Sequence, residues 1–124
     1  MSDYKVEMYH WDKKEYLTVA KCKVKHFRQY EGRNPSTCGG HTALFDLTLG
    51  HIHSSKCRSD EPFSRRKGVL TCIQKMFEAN FKEYTPLIVD YQFIPNGCKV
   101  WITRKTKEEY EAVAGKPYKP YFWL

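Results

Sequence analysis

Three lysines alternate with a cysteine and a valine in the run Lys21-Cys22-Lys23-Val24-Lys25. In an extended chain alternate side chains leave the same face about 6.6–6.8 Å apart, close to the separation of successive phosphates on an extended nucleic-acid strand. Such a row suits salt-sensitive ion pairing with a phosphate backbone. Arg28 and Arg33 follow it, and a second basic run, Arg65-Arg66-Lys67, stands behind Ser64 at a helix start. The helix dipole disfavours bases there, while the dipole and the unpaired amides favour an anion, so a bound phosphate would explain the run. By strand parity Lys99 and Trp101, with Tyr9, Trp11 and Phe27, fall on faces turned away from the expected core. Aromatics among lysines are how single-stranded nucleic acid is held, with rings stacking on bases and ammonium groups meeting the backbone.

The charge distribution supports that chemistry. The chain has 124 residues, with 21 Lys and Arg against 14 Asp and Glu, a net +7. Residues 21–33 hold five bases against Glu31, or +4, and residues 56–67 hold five against Asp60 and Glu61, or +3. The rest balances at 11 bases and 11 acids, so two short stretches supply the whole net charge. Solubility alone accounts for the size of the charge but not for its clustering, whereas a polyanion partner accounts for both.

Other chemistries are less well supplied. Cys38, His41, His51, His53 and Cys57 are of zinc-ligand type. Their spacing, C-x2-H-x9-H-x-H-x3-C, fits no standard finger, and on a straight strand His41 would stand about 33 Å from His51. His51, His53 and Cys57, with His26 from elsewhere, form the subset able to meet, but no metal or other cofactor is expected. Asp46 and Asp90 lie mid-strand among apolar neighbours, where an acid often has a role. Paired with Lys or His they would make a metal-dependent phosphoester hydrolase. Against this, the chain contains no recognisable cluster of acidic ligands, no GxSxG, no P-loop and no GxGxxG, so a non-catalytic protein is expected. Five cysteines without a CxxC pair indicate a reducing compartment. No apolar run approaches the roughly 20 residues of a membrane helix. The start, MSDYKVEMYHWDKK, lacks the apolar segment of a secretory signal, so a cytoplasmic protein without membrane contact is expected.

Hydrophobic period then assigns the elements that must hold these groups. Tyr4–Trp11 and Tyr16–Phe27 alternate as a hairpin around Asp12, Lys13 and Lys14, and residues 29–40 read as a mobile loop. His41–His53 reads as a third strand, and residues 54–61 as a second polar loop. From Ser64, Val69, Leu70, Ile73, Met76, Phe77 and Phe81 recur at helical spacing. Pro86–Ile94 and Cys98–Arg104 flank Asn96-Gly97 as a second hairpin, and Thr106 and Gly115 bound a short helix. The reading is a single α+β domain, 1–124, with a mostly antiparallel five-stranded sheet in the order β-β-β-α-β-β-α. One long helix packs on a face, the second helix is short, and residues 116–124 form an aromatic tail docked through Tyr121, Phe122, Trp123 or Leu124.

Three strands followed by a helix opened by Ser64-Arg65-Arg66-Lys67 locally resemble the double-stranded-RNA-binding domain, whose helix opens on a Ser-Lys-Lys type sequence. That motif's later lysine corresponds to Val69, its small helix residues are matched only at Gly68 and Cys72, and two further strands follow where that family closes with a helix. The likeness is local and does not amount to membership.

The expectation is a small intracellular nucleic-acid-binding protein that contacts the backbone of RNA or single-stranded DNA with little sequence reading. Its contacts would be Lys21, Lys23, Lys25, Arg28, Arg33, Arg65, Arg66, Lys67, Lys99 and Trp101. An interaction or inhibitor protein that docks on an acidic partner or a nucleic-acid-processing machine is the alternative, and the hydrolase is a third. With the helix start expected about 20–25 Å from Arg33, the basic residues would form one extended track.

Overall fold

The computed structural model describes residues 2–13 and 15–120. Along the chain these form β1 (Ser2–His10), β2 (Glu15–Phe27), β3 (Tyr30–Glu31), β4 (Asn34–Pro35), β5 (Cys38–Asp46), β6 (His51–Pro62), α1 (Arg65–Asn80), β7 (Leu87–Ile94), β8 (Gly97–Thr103) and α2 (Lys107–Ala114). Six strands make one sheet in the order β6-β5-β2-β1-β8-β7, and β3 and β4 form a separate ribbon.

Period-two patterning sets one face of this sheet against α1. Val6 and Met8 of β1, Ala20 and Cys22 of β2, Leu44 of β5 and Cys98, Val100 and Ile102 of β8 are buried in one cluster with Val69, Leu70, Cys72, Ile73, Met76 and Phe77 of α1. Because one helical stripe meets residues from strands across the sheet, the sheet curls around it as a half-barrel. Ser64 caps α1, its Oγ accepting a hydrogen bond from the Lys67 amide at 3.2 Å. Gly68 follows because the helix crosses β5 so closely that a Cβ there would collide with the Thr42 side chain.

The five-stranded, mostly antiparallel reading is therefore corrected to a six-stranded mixed sheet. The apolar alternation expected to run from His41 to His53 is broken at Asp46. Its Oδ1 accepts hydrogen bonds from the Thr48 and Leu49 amides at 3.0 and 3.4 Å, and Gly50, at φ 72°, closes the turn by donating to the Asp46 carbonyl. Leu47 and Leu49 thus lie in a turn, half-exposed. The polar loop expected at 54–61 is most of β6, which pairs antiparallel with β5. It reads as a loop because an edge strand carries polar side chains that discourage further pairing. The other correction is that β1 runs parallel to β8, with Val6 opposite Cys98 and Met8 opposite Val100. The expected loop at 29–40 contains the β3–β4 ribbon.

The short helix appears with a capping box between Thr106 and Glu109 and a left-handed Gly115. Tyr118 lies against it, meeting Tyr110 edge-on at 5.8 Å and donating its amide to Glu111 Oε2 at 3.3 Å, while its hydroxyl donates to the Ile88 carbonyl of β7 at 3.3 Å. The tail contacts expected of Tyr121–Leu124 lie outside the described residues. Among the described residues no helix is long and apolar enough to cross a membrane.

Candidate functional site

The sheet face opposite α1 carries the lysine row. Pairing sets Lys21 opposite Lys5, Lys23 between Asp3 and Phe45, Lys25 opposite Ala43, and Phe27 opposite His41. Among the described residues neither helix covers this face: α1 packs on the other side, and α2 sits at the end of β1, where Tyr110 meets Trp11 edge-on at 5.0 Å. Lys21 and Lys25 are exposed, and the Lys25 ammonium lies 4.9 Å from the Phe27 ring centre. Lys23 Nζ stands 3.8 Å from Asp3 Oδ1, but Asp3 is 91% exposed, so solvent screens the pair.

Aromatic pairs close the row at both ends. Phe27 stacks on His41 with centroids 4.3 Å apart and planes 13° apart. At the other end Tyr9 stacks on Trp101 at 5.4 Å and 22°, and Tyr16 meets Tyr9 edge-on at 5.5 Å. Lys99 lies on the same face, opposite Glu7. Trp11, expected on this face, is not there; β1 has ended at His10, and Trp11 anchors α2 instead. Parity in the first strand would have found Lys5 and Glu7. Tyr16 was hidden because a bulge between Met8 and Tyr9 shifts the register and brings it opposite Tyr9.

The second basic run lies nearer the first than expected. β6 carries the chain back along β5 until Pro62 is opposite Cys38, and the Phe63 amide donates to the Thr37 carbonyl at 2.9 Å. The start of α1 therefore lies at the end of the sheet where β2 finishes and the β3–β4 ribbon begins, not at the far end. Here the Arg28 guanidinium lies 5.8 Å from the Phe63 ring centre, and Phe63 meets His26 edge-on. His26 bonds the Thr42 hydroxyl through Nδ1 at 2.8 Å; burial first, and then the charge of Arg65, hold its pKa below the usual histidine value. Arg66 turns away to lie over Phe93 at 5.3 Å. Arg33 is exposed in the turn between β3 and β4. Lys67 and Lys56 line a cleft of about 400 Å³ between β6 and α1, together with Cys57, Phe63 and Thr71.

The catalytic candidates do not meet. Asp46 is buried, and beyond its turn it accepts a hydrogen bond from Asn80 Nδ2 at 3.1 Å, so it ties the β5–β6 hairpin to the end of α1. Asp90 is exposed on β7, with β2, β1 and β8 between it and β5. Among the described residues no three His, Cys, Asp or Glu side chains are grouped to hold a metal; the His51 and His53 rings are 6.1 Å apart and the Cys57 thiol is turned toward the Glu61 carbonyl. All five cysteines are free, and burial pushes the Cys22 and Cys98 thiols up to about 12 and Cys72 to about 11, which keeps them protonated. No protein-family model, curated protein or solved structure matches the chain.

Proposed function

We propose that this protein is a non-catalytic, cytoplasmic nucleic-acid-binding protein that grips the phosphate backbone of RNA or single-stranded DNA. The observation that carries this reading is the exposed sheet face on which Lys21, Lys23 and Lys25 stand in a row, with Lys5 and Lys99 beside them. Arg28, beside Phe63, and Arg65, close enough to His26 to act on its charge, add to the positive field at the end of the sheet where β2 finishes. Fluorescence anisotropy with a labelled oligonucleotide at several salt concentrations tests it. The logarithm of the affinity is expected to fall linearly with the logarithm of salt, and the affinity to fall further in Lys21→Glu and Arg65→Glu; salt-independent binding, or binding indifferent to both reversals, overturns it.

A second reading, docking on a protein partner, is favoured by one feature. Leu47, Leu49 and Ile52 at the β5–β6 hairpin are 53%, 53% and 66% exposed. An L49S/I52S variant that binds oligonucleotide less tightly would assign this tip to the nucleic-acid surface, and unchanged affinity would leave it for a partner.

A further inference from the structure

Resting on that reading, we propose that the ligand is a single strand whose bases stack at two separate platforms, Tyr9–Trp101 and Phe27–His41, while its phosphates follow β2 between them. The charge pattern sets the path. On this face β2 presents Lys21, Lys23 and Lys25, whereas β1 alternates in sign through Asp3, Lys5 and Glu7. Among the described residues, one carboxylate oxygen of Glu7 is buried without a hydrogen-bond partner, and Glu7 makes no ion pair within 4.0 Å. With three positive charges on β2 and a net single negative charge among Asp3, Lys5 and Glu7 of β1, a polyanion is drawn along β2 more strongly than along β1, and it runs with the strands and not across them.

The platforms stand where such a strand begins and ends. Tyr9 is opposite Tyr16 near the start of β2, and Phe27 is its last residue. At about 3.3 Å per residue the two are separated by about 33–36 Å, a span of about five or six extended nucleotides. Both pairs are already stacked ring on ring, so a base adds to an ordered surface without first ordering the side chains. A duplex keeps its base faces covered and cannot use either platform. This distinguishes single strands from duplexes by geometry even though both carry phosphates.

Anisotropy titration of the full chain with oligothymidylates of three to ten nucleotides, an abasic oligomer and a duplex separates the possibilities. Affinity is expected to climb to about six nucleotides and then level off, with the abasic oligomer and the duplex binding about five- to a hundredfold more weakly than the single strand. Trp101→Ala and Phe27→Leu should each lower affinity for the intact oligomer and leave that for the abasic one unchanged; Phe27→Leu keeps apolar bulk where a smaller side chain could loosen the sheet. Equal binding of intact and abasic oligomers, or a duplex bound as tightly as the single strand, overturns the two-platform proposal and leaves backbone binding standing. Failure of every oligomer to bind at low salt overturns the underlying reading instead.

Discussion

Within β2, Cys22 is 1% exposed while Lys21 on one side of it is exposed to solvent. Consecutive residues of one strand thus serve opposite ends. The face toward α1 is closed by apolar contacts that contribute about 25 cal/mol for each Å² removed from water, and it has little tolerance for change of volume. The outer face holds ring pairs, with Tyr9, Trp101 and Phe27 half-buried, and, between them, lysines that contribute little to folding. Lysines on which stability does not depend are free to be placed for a ligand.

Substitutions on the two faces should therefore separate cleanly. The largest effect is expected inside: Phe77→Ala removes a fully buried ring under the sheet and should cost about 3–5 kcal/mol in urea unfolding. Gly68→Ala comes next. Helix propensity alone would favour alanine by about 1 kcal/mol, but the added methyl meets Thr42, so a net loss of about 1–3 kcal/mol is expected by the same measurement. A stabilised Gly68→Ala protein would show that the helix does not lie so close to β5. On the outer face, Lys21→Glu with Lys25→Glu should shift unfolding by less than about 0.5 kcal/mol, while polyanion affinity drops at least about tenfold and the salt slope flattens.

The remaining two effects are smaller. Burial and Arg65 lower the pKa of His26, and burial lowers that of His53 despite the opposing charge of Asp46, so the unfolded chain takes up protons at these positions more readily. Their contribution is fully present above the ordinary histidine pKa of about 6.5 and is lost as pH falls below it toward the folded values. Unfolding at pH 7.5 and 5.5 should show lower stability at the acid pH, and His26→Gln should shrink the difference. Least of all, Asp3→Asn frees Lys23 from an exposed partner; it should leave stability within about 0.5 kcal/mol and strengthen oligonucleotide binding about two- to threefold. A weakened complex would mean that the Asp3–Lys23 pair positions the lysine for its ligand.

The elements read correctly from the sequence are those whose causes lie within a few residues. Alternation in β1 and β2, the Ser64 cap and apolar stripe of α1, the turn at Asn96, and the Thr106 cap and Gly115 end of α2 are all local, and each appears where its residues require. The spacing of Lys21, Lys23 and Lys25 belongs with them, since a period of two needs only an extended backbone. What sequence could not supply depends on backbone groups finding distant partners. β6 is a strand because β5 offers it hydrogen bonds, although its own side chains are too polar to announce one. The parallel match of β1 with β8 has no local signature, and it is that match which brings Trp101 onto Tyr9. Asp46 stands as a catalytic candidate of the hydrolase alternative because an acid lies among apolar residues; the folded chain supplies the Thr48, Leu49 and Asn80 donors that satisfy it. The row of lysines was thus written in the order of residues, but its aromatic ends and the nearness of Arg65 to Arg28 were decided by strand order, because pairing across a sheet is chosen by the burial of the whole face and not by any one segment.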